Sequence, residues 1–380
     1  MEHGVRFQDS KLPVAGKQRM KDDFSLPFRT RLGLEINRQI RHNKAKLHPL
    51  HQLFWECTLR CNLHCLHCGS DCKQDSVVHD MPAEDFLRVI DSISPHVDTH
   101  QLMIIITGGE PLIRKDIEYV GRELYRREYP WGIVSNGMLL TEERLESLMK
   151  AGMRSITISL DGFEEDHNWM RGHKMSFQNA LRAIRLLTKR KDLVWDIVTC
   201  VNQRNYPYLR KFRDMIYEVG VRDWRLFTIF PVGRAARYNE LQLSDNDFKG
   251  LMDFIVETRK ERKIHTEYAC EGFLGEYEAK VRDRLYICQA GITTASVQVD
   301  GSISSCLSIR YNHKQGNIYE DDFMDVWNNR FEAYRNREWA RRGECEDCKM
   351  FRYCEGNGMH LHDDDGNLLF CHLKRLRKNS

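Results

Sequence analysis

No apolar run in this chain is long enough to span a membrane, and the polar N-terminus lacks a signal-peptide pattern. Internal repeats and low-complexity segments are missing as well. Charge of one sign is not in excess: 58 Lys and Arg against 55 Asp and Glu leave a formal +3. Such a balance makes no case for a nucleic-acid partner. The chain is not short of cysteine, but its 13 cysteines do not read as a secreted disulfide framework, because their spacings are short and metal-like and no secretory signal accompanies them. A reducing cytoplasmic location is expected. The 380 residues suffice for one large domain and a small one. Charge is concentrated only locally, at Arg29, Arg31, Arg38, Arg41, Lys44 and Lys46, and again at Lys374, Arg375, Arg377 and Lys378. These runs read as solvated faces, with docking of an acidic reductant or acidic peptide as the alternative.

The densest information lies in WECTLRCNLHCLHCGSDC, where Cys61, Cys65 and Cys68 form a C-x3-C-x2-C loop. Three thiols so placed suit three corners of an iron–sulfur cube and leave one iron open for chemistry. Cys72, after a further C-x3-C gap, is a candidate fourth ligand. A zinc site is the alternative, with His64 and His67 as extra nitrogen donors, although zinc favours two separated pairs of ligands.

Downstream, residues 100–107 (HQLMIIIT) read as a buried strand ending in Gly108, Gly109 and Glu110. Two glycines permit close backbone approach, and a carboxylate beside them suits an ammonium. Further strands are expected at 53–57, 131–135, 154–160, 193–201 and 224–230, and helices at 141–151, 176–191 and 208–219. Thr141 suits an N-cap, Glu142 and Glu143 suit the positive end of the helix dipole, and Gly152 suits the stop. About six βα units argue for a parallel sheet. The strands are followed by Ser135 and Asn136, Asp161, Asn202, and Gly233 with Arg234, which read as turn chemistry or as a site at the strand ends.

The cysteine loop resembles the signature of the radical S-adenosylmethionine (radical SAM) enzymes, C-x3-C-x-aromatic-C, with His67 at the aromatic position. The resemblance covers roughly residues 50 to 375. It implies an α/β fold: a partial (β/α)6 TIM-like barrel with a small cysteine-rich C-terminal iron–sulfur domain. It further implies a [4Fe–4S] cluster on Cys61, Cys65 and Cys68 whose open iron chelates SAM. Gly108, Gly109 and Glu110 match the family's GGE motif at the SAM amine. Ser135, Asn136, Ser159 and Asp161 look like positions near the ribose and carboxylate, Arg171 is placed at the SAM carboxylate, and Asn202 and Arg234 near methionine and adenine.

A second set, Cys288, Cys306, Cys345, Cys348, Cys354 and Cys371, resembles the SPASM extension, which holds auxiliary clusters in enzymes that modify peptides and proteins. The pattern's next cysteine is replaced by Gly358. Cys345, Cys348, Cys354 and Cys371 still suffice for one auxiliary cluster, or for a zinc ribbon. Cys288 and Cys306 are two ligands short of another, unless Cys270 or a non-cysteine group joins them. A shortened relative of the extension would instead use Cys288, Cys306, Cys345 and Cys348.

The expected organisation is a basic N-terminal extension (1–48), a radical SAM core (49–270) and a SPASM-like auxiliary-cluster domain (271–380). The expected function is reductive cleavage of SAM to a 5′-deoxyadenosyl radical that abstracts hydrogen from a peptide or protein, with electrons from a flavodoxin- or ferredoxin-type reductant. The alternatives are radical SAM chemistry on a tetrapyrrole side chain and, from another class, a non-catalytic zinc-binding scaffold. No catalytic residue beyond the cofactor ligands is indicated.

Overall fold

The computed structural model describes residues 26–269, 271–309 and 313–377. Cys270, Lys378 and the first 25 residues of the N-terminal extension lie outside them.

The strands are β1 (Gln52–Thr58), β2 (Met103–Gly108), β3 (Trp131–Ser135), β4 (Met153–Ser159), β5 (Val194–Val201), β6 (Asp223–Thr228), β7 (His265–Tyr268), β8 (Thr294–Val297), β9 (Ser302–Ser304) and β10 (Gly316–Asn317). They form one sheet in the order β10-β9-β8-β1-β2-β3-β4-β5-β6-β7. Strands β1 to β7 run parallel. The expected six-unit partial barrel is therefore present, with β7 as a further parallel strand. On the other flank β8 pairs parallel with β1, and β9 and β10 follow antiparallel. The cysteine-rich C-terminal segment thus shares the barrel's own sheet.

The helices are α1 (Phe28–Leu47), α2 (Ala83–Ile93), α3 (Ile117–Arg126), α4 (Glu142–Lys150), α5 (Glu164–Arg171), α6 (Ser176–Leu187), α7 (Leu209–Val219), α8 (Asp245–Glu261), α9 (Phe323–Asn329), α10 (Glu332–Arg335), α11 (Phe351–Cys354) and α12 (His372–Arg377). Helix α4 begins as expected, with the Thr141 side chain accepting from the Arg144 amide at 3.1 Å. Helix α2 presents Phe86, Leu87, Val89, Ile90 and Ile93 at helical spacing to the sheet. Phe86 stacks on Trp55 of β1 at 4.4 Å between ring centroids. Arg114, buried over the Trp55 ring, donates to the carbonyls of Cys57 (2.8 Å) and Met81 (2.7 Å) and pairs with Asp116. That one cation ties β1 to the segment leading into α2.

Helix α1 is docked rather than free. Its Leu34 packs with Phe273, Tyr286, Met350 and Cys354, and Arg41 is buried in an ion pair with Glu355. The basic run of the sequence is therefore only partly a solvated face. Among the described residues, no helix is long and apolar enough to cross a membrane.

Candidate iron–sulfur and SAM site

Residues that follow the strands converge at one end of the barrel, where parallel barrels place their sites. Cys61, Cys65 and Cys72 are buried together, with Cys68 packed against them. They face a cavity of about 160 Å³ that Gly108, Gly109, Ser135, Asn136, Ser159, Arg171 and Arg234 also line. The thiols of Cys68 and Cys72 are hydrogen-bonded, which pushes Cys68 down to about 6 and Cys72 upward. Burial pushes Cys61 up to about 12 and raises Cys65, where the Arg171 guanidinium partly offsets it.

Two arginines organise this loop. Arg171, at the end of α5, donates Nε to Asp161 Oδ2 at 2.5 Å and turns Nη1 toward Cys65 Sγ at 3.8 Å. Asp161 is almost fully buried, and its carboxyl is held low by Arg171 despite desolvation. The second cation, Arg234, donates to the carbonyls of Cys65 (2.8 Å) and Cys72 (3.0 Å) and to Asp71 (3.0 Å). A side chain at Gly233 would collide with the carbonyls of Cys68 and Gly69, so this clamp needs the glycine. Thiolates buried beside two cations and the Asn136 amide (3.9 Å from Cys61 Sγ) form a donor set suited to a cluster of net negative charge.

The GGE turn works in a way the sequence did not disclose. A Cβ on Gly108 would lie 2.2 Å from the Thr58 carbonyl, and one on Gly109 would lie 2.1 Å from that of Arg60. The glycines let β2 close onto the exit of β1, and the amides of Gly109 and Glu110 bond those same carbonyls. Glu110 is fully buried behind the wall. Its carboxylate accepts from the Leu112 amide (3.1 Å), Ser135 Oγ (2.9 Å) and the Asn136 amide (2.8 Å). Desolvation nevertheless raises its carboxyl. Asn202 is likewise behind the wall, its amide on Met170 Sδ and its oxygen accepting from the amides of Arg204 and Asn205. Of the expected SAM contacts, then, Glu110, Asp161 and Asn202 brace the cavity, and the others line it.

His67 also lines a second, larger cavity of about 540 Å³. Its walls include Phe227 of β6, Ile229 and Phe230 just after that strand, Leu307 and Ile309, and His360. The His360 ring packs tilted against Phe230, with centroids 4.3 Å apart, and is kept neutral by burial, which pushes it down to about 3. Among the described residues its Nε2, which is buried, has no hydrogen-bond partner. No spacing rule marked this histidine; its position emerges only from the fold.

The C-terminal cysteines fall into two neighbourhoods. Cys348, Cys354 and Cys371 pack in one apolar cluster, Cys345 adjoins them through Cys348 and Phe351, and each of these four thiols acts electrostatically on at least one of the others. Cys288 and Cys306 neighbour each other against the main core, and Cys288 also touches the first group. At the missing position, a Cβ on Gly358 would lie 2.6 Å from His360 Cε1 and 2.9 Å from the Glu271 carbonyl. The His360 ring therefore occupies the space a side chain there would need.

A partial barrel with a thiol nest at its strand ends, beside a second cavity that shares His67 with it, has the make-up of a cofactor-using barrel enzyme. The chain belongs to the radical SAM superfamily, whose profile matches residues 55–216, and an iron–sulfur cluster-binding SPASM domain matches residues 288–349. It is a radical SAM enzyme that uses a [4Fe–4S] cluster and SAM, which sets aside the scaffold reading. The AdoMet-dependent heme synthase of Methanosarcina barkeri is 28% identical over 324 residues, covering 80% of this chain and 89% of that one. The mycofactocin maturase of Mycolicibacterium smegmatis is 28% identical over 316 residues, covering 81% and 77%. Among solved structures, anSMEcpe with bound AdoMet superposes with a TM-score of 0.69 at 21% identity (87% of this chain, 95% of that one). Streptococcus suis SuiB bound to S-adenosylmethionine gives 0.67 at 18% (86% and 77%).

Proposed function

We propose that the chain is a maturase that abstracts hydrogen from a peptide or protein held in the cavity of about 540 Å³. One observation carries this reading: that cavity meets the cysteine pocket at His67, so a substrate group in it faces the site where the radical forms. Cys61, Cys65 and Cys68 hold the SAM-binding cluster, and Arg171 and Arg234 fix the loop and balance its charge. When bound, cluster and SAM supply a 5′-deoxyadenosyl radical; the protein positions the reactants and excludes side reactions. Cys345, Cys348, Cys354 and Cys371 hold one auxiliary cluster. Residues 49–270 form the catalytic core and 271–380 the auxiliary-cluster segment, in a reducing cytoplasm that spares the clusters. Peptide chemistry is also named among similar proteins, a PqqA peptide cyclase and SuiB bound to its precursor peptide.

A second reading, modification of a tetrapyrrole side chain, is favoured by the aromatic and aliphatic part of that cavity's wall and by His360 in it, kept neutral by burial, since a neutral imidazole suits haem-type iron. Similar proteins include a heme synthase and an Fe-coproporphyrin III synthase.

The test is anaerobic reconstitution followed by iron counting and a SAM-cleavage assay with dithionite. Roughly eight irons, at four per cube, and 5′-deoxyadenosine are expected. Zinc without iron or nucleoside product overturns the proposal. A shift of an iron-porphyrin's Soret band on binding that is absent with His360→Ala selects the tetrapyrrole reading.

A further inference from the structure

Away from the catalytic pocket, with which it shares no lining residue, a cleft of about 500 Å³ lies between α1 and the C-terminal segment. Arg38, Arg41 and Lys46 of α1 line one side; Arg335, Arg337, Arg341 and Arg352 line the other. Three carboxylates also line it, Glu332, Glu338 and Glu355. Glu355 pairs with Arg41 and Glu338 with Arg341, Glu332 acts on Arg335, and Glu35 of α1, outside the lining, pairs with Arg38 and Arg352, which still leaves the basic side chains in excess. Arg337 is 3% exposed, and among the described residues no carboxylate pairs with it. The cleft is therefore a concave, net positive surface, in a protein whose overall charge is close to balanced.

The C-terminal cysteines adjoin it. Phe351 and Arg352 of α11 line the cleft, and the same helix ends in Cys354. Phe351 packs in one apolar cluster with Cys345 and Cys348, and the Arg41 charge acts on Cys354 and Cys288. A redox group docked here would sit against Phe351, which is itself packed on Cys345 and Cys348. Reductive cleavage of SAM requires a one-electron donor, and the positive rim matches a donor that carries carboxylates around its redox centre.

We propose that this cleft is the docking surface for a small acidic one-electron carrier protein, which delivers its electron beside the auxiliary cysteines rather than at the SAM pocket. The inference rests on the proposed auxiliary cluster. Its test compares two electron sources in the full-length, reconstituted enzyme: a bacterial flavodoxin kept reduced by NADPH and its reductase, and dithionite, which needs no docking. Flavodoxin-driven SAM cleavage by the wild type should fall as salt rises. The double variant Arg38→Glu, Lys46→Glu should slow flavodoxin-driven cleavage about tenfold at low salt, the direction expected when rim charges are reversed, and leave dithionite-driven cleavage unchanged. An unchanged flavodoxin rate overturns the proposal. So does an equal fall with both reductants in the presence of substrate, which assigns the cleft to substrate binding. As a check independent of folding, carbodiimide should crosslink flavodoxin carboxylates to Lys46 of the wild type; crosslinks confined to other surfaces overturn the docking site. Absence of dithionite-driven cleavage in the wild type would instead remove the functional reading itself.

Discussion

The His360 ring stands where a side chain at Gly358 would grow, 2.6 Å from the position of its Cβ. Restoring the cysteine of the full SPASM pattern is therefore not a gain of a ligand alone. Gly358→Cys should leave the iron content of the reconstituted protein at the wild-type level and lower its melting temperature, because the Glu271 carbonyl blocks the other direction. Iron analysis with thermal denaturation checks this; a gain of about four irons, one cube, would show that the inner site accepts the cysteine.

Arg171 and Asp161 form a buried ion pair, and breaking it from one side leaves an uncompensated charge. Arg171→Met should cost about 3–5 kcal/mol in urea denaturation. Adding Asp161→Asn should return part of that loss, since the two effects are coupled. Strict additivity of the two losses would show that the pair is not the source of the destabilisation.

Cys65→Ala should abolish SAM cleavage, because two thiolates do not retain a cube stably. Cys72→Ser should retain both iron and cleavage, as its thiol is hydrogen-bonded to Cys68 in the structure and the proposed ligand set does not include it. Anaerobic nucleoside assays on the two variants separate the roles. Loss of iron in Cys72→Ser would make it the fourth ligand.

Glu110→Gln should weaken SAM binding while leaving iron content nearly intact. The geometry adds a second effect: an amide group in place of one oxygen sets a donor either against the Asn136 amide or against the Leu112 amide and Ser135 hydroxyl, so about 1–3 kcal/mol of stability should be lost as well. Calorimetric SAM binding and denaturation are read together; unchanged affinity with lost stability would assign Glu110 to bracing alone.

The expected strands coincide with β1 to β6 to within a few residues, because buried parallel strands are apolar runs closed by turn residues. The strand at 131–135 matches exactly in its ends. The cysteine nests were also legible, since metal-type spacing is local in sequence. What was not legible depends on contacts distant in sequence. Nothing in 294–317 announces that β8 will pair with β1, or that the short strands β9 and β10 will extend the sheet. Arg234 reaches back 162 residues to the Cys72 carbonyl, a bond no window can contain. The basic run around Arg41 has the composition of a solvated helix, yet its Leu34 face and the ion pair to Glu355 seat it over the auxiliary cysteines. Glu110 carries the right motif, but only the fold shows its oxygens spent on Ser135 and Asn136.

The pairing of β8 with β1 gives the two halves of the chain a shared fate. Residues 52–55 of β1 pair with 294–297, so a fragment ending before β8 bares a strand edge with the apolar Leu53 and Trp55 on it. Such an edge recruits other chains. The C-terminal segment therefore acts as a chaperone in cis for the first strand, and a catalytic core separated from it would aggregate before it could be asked whether it binds SAM.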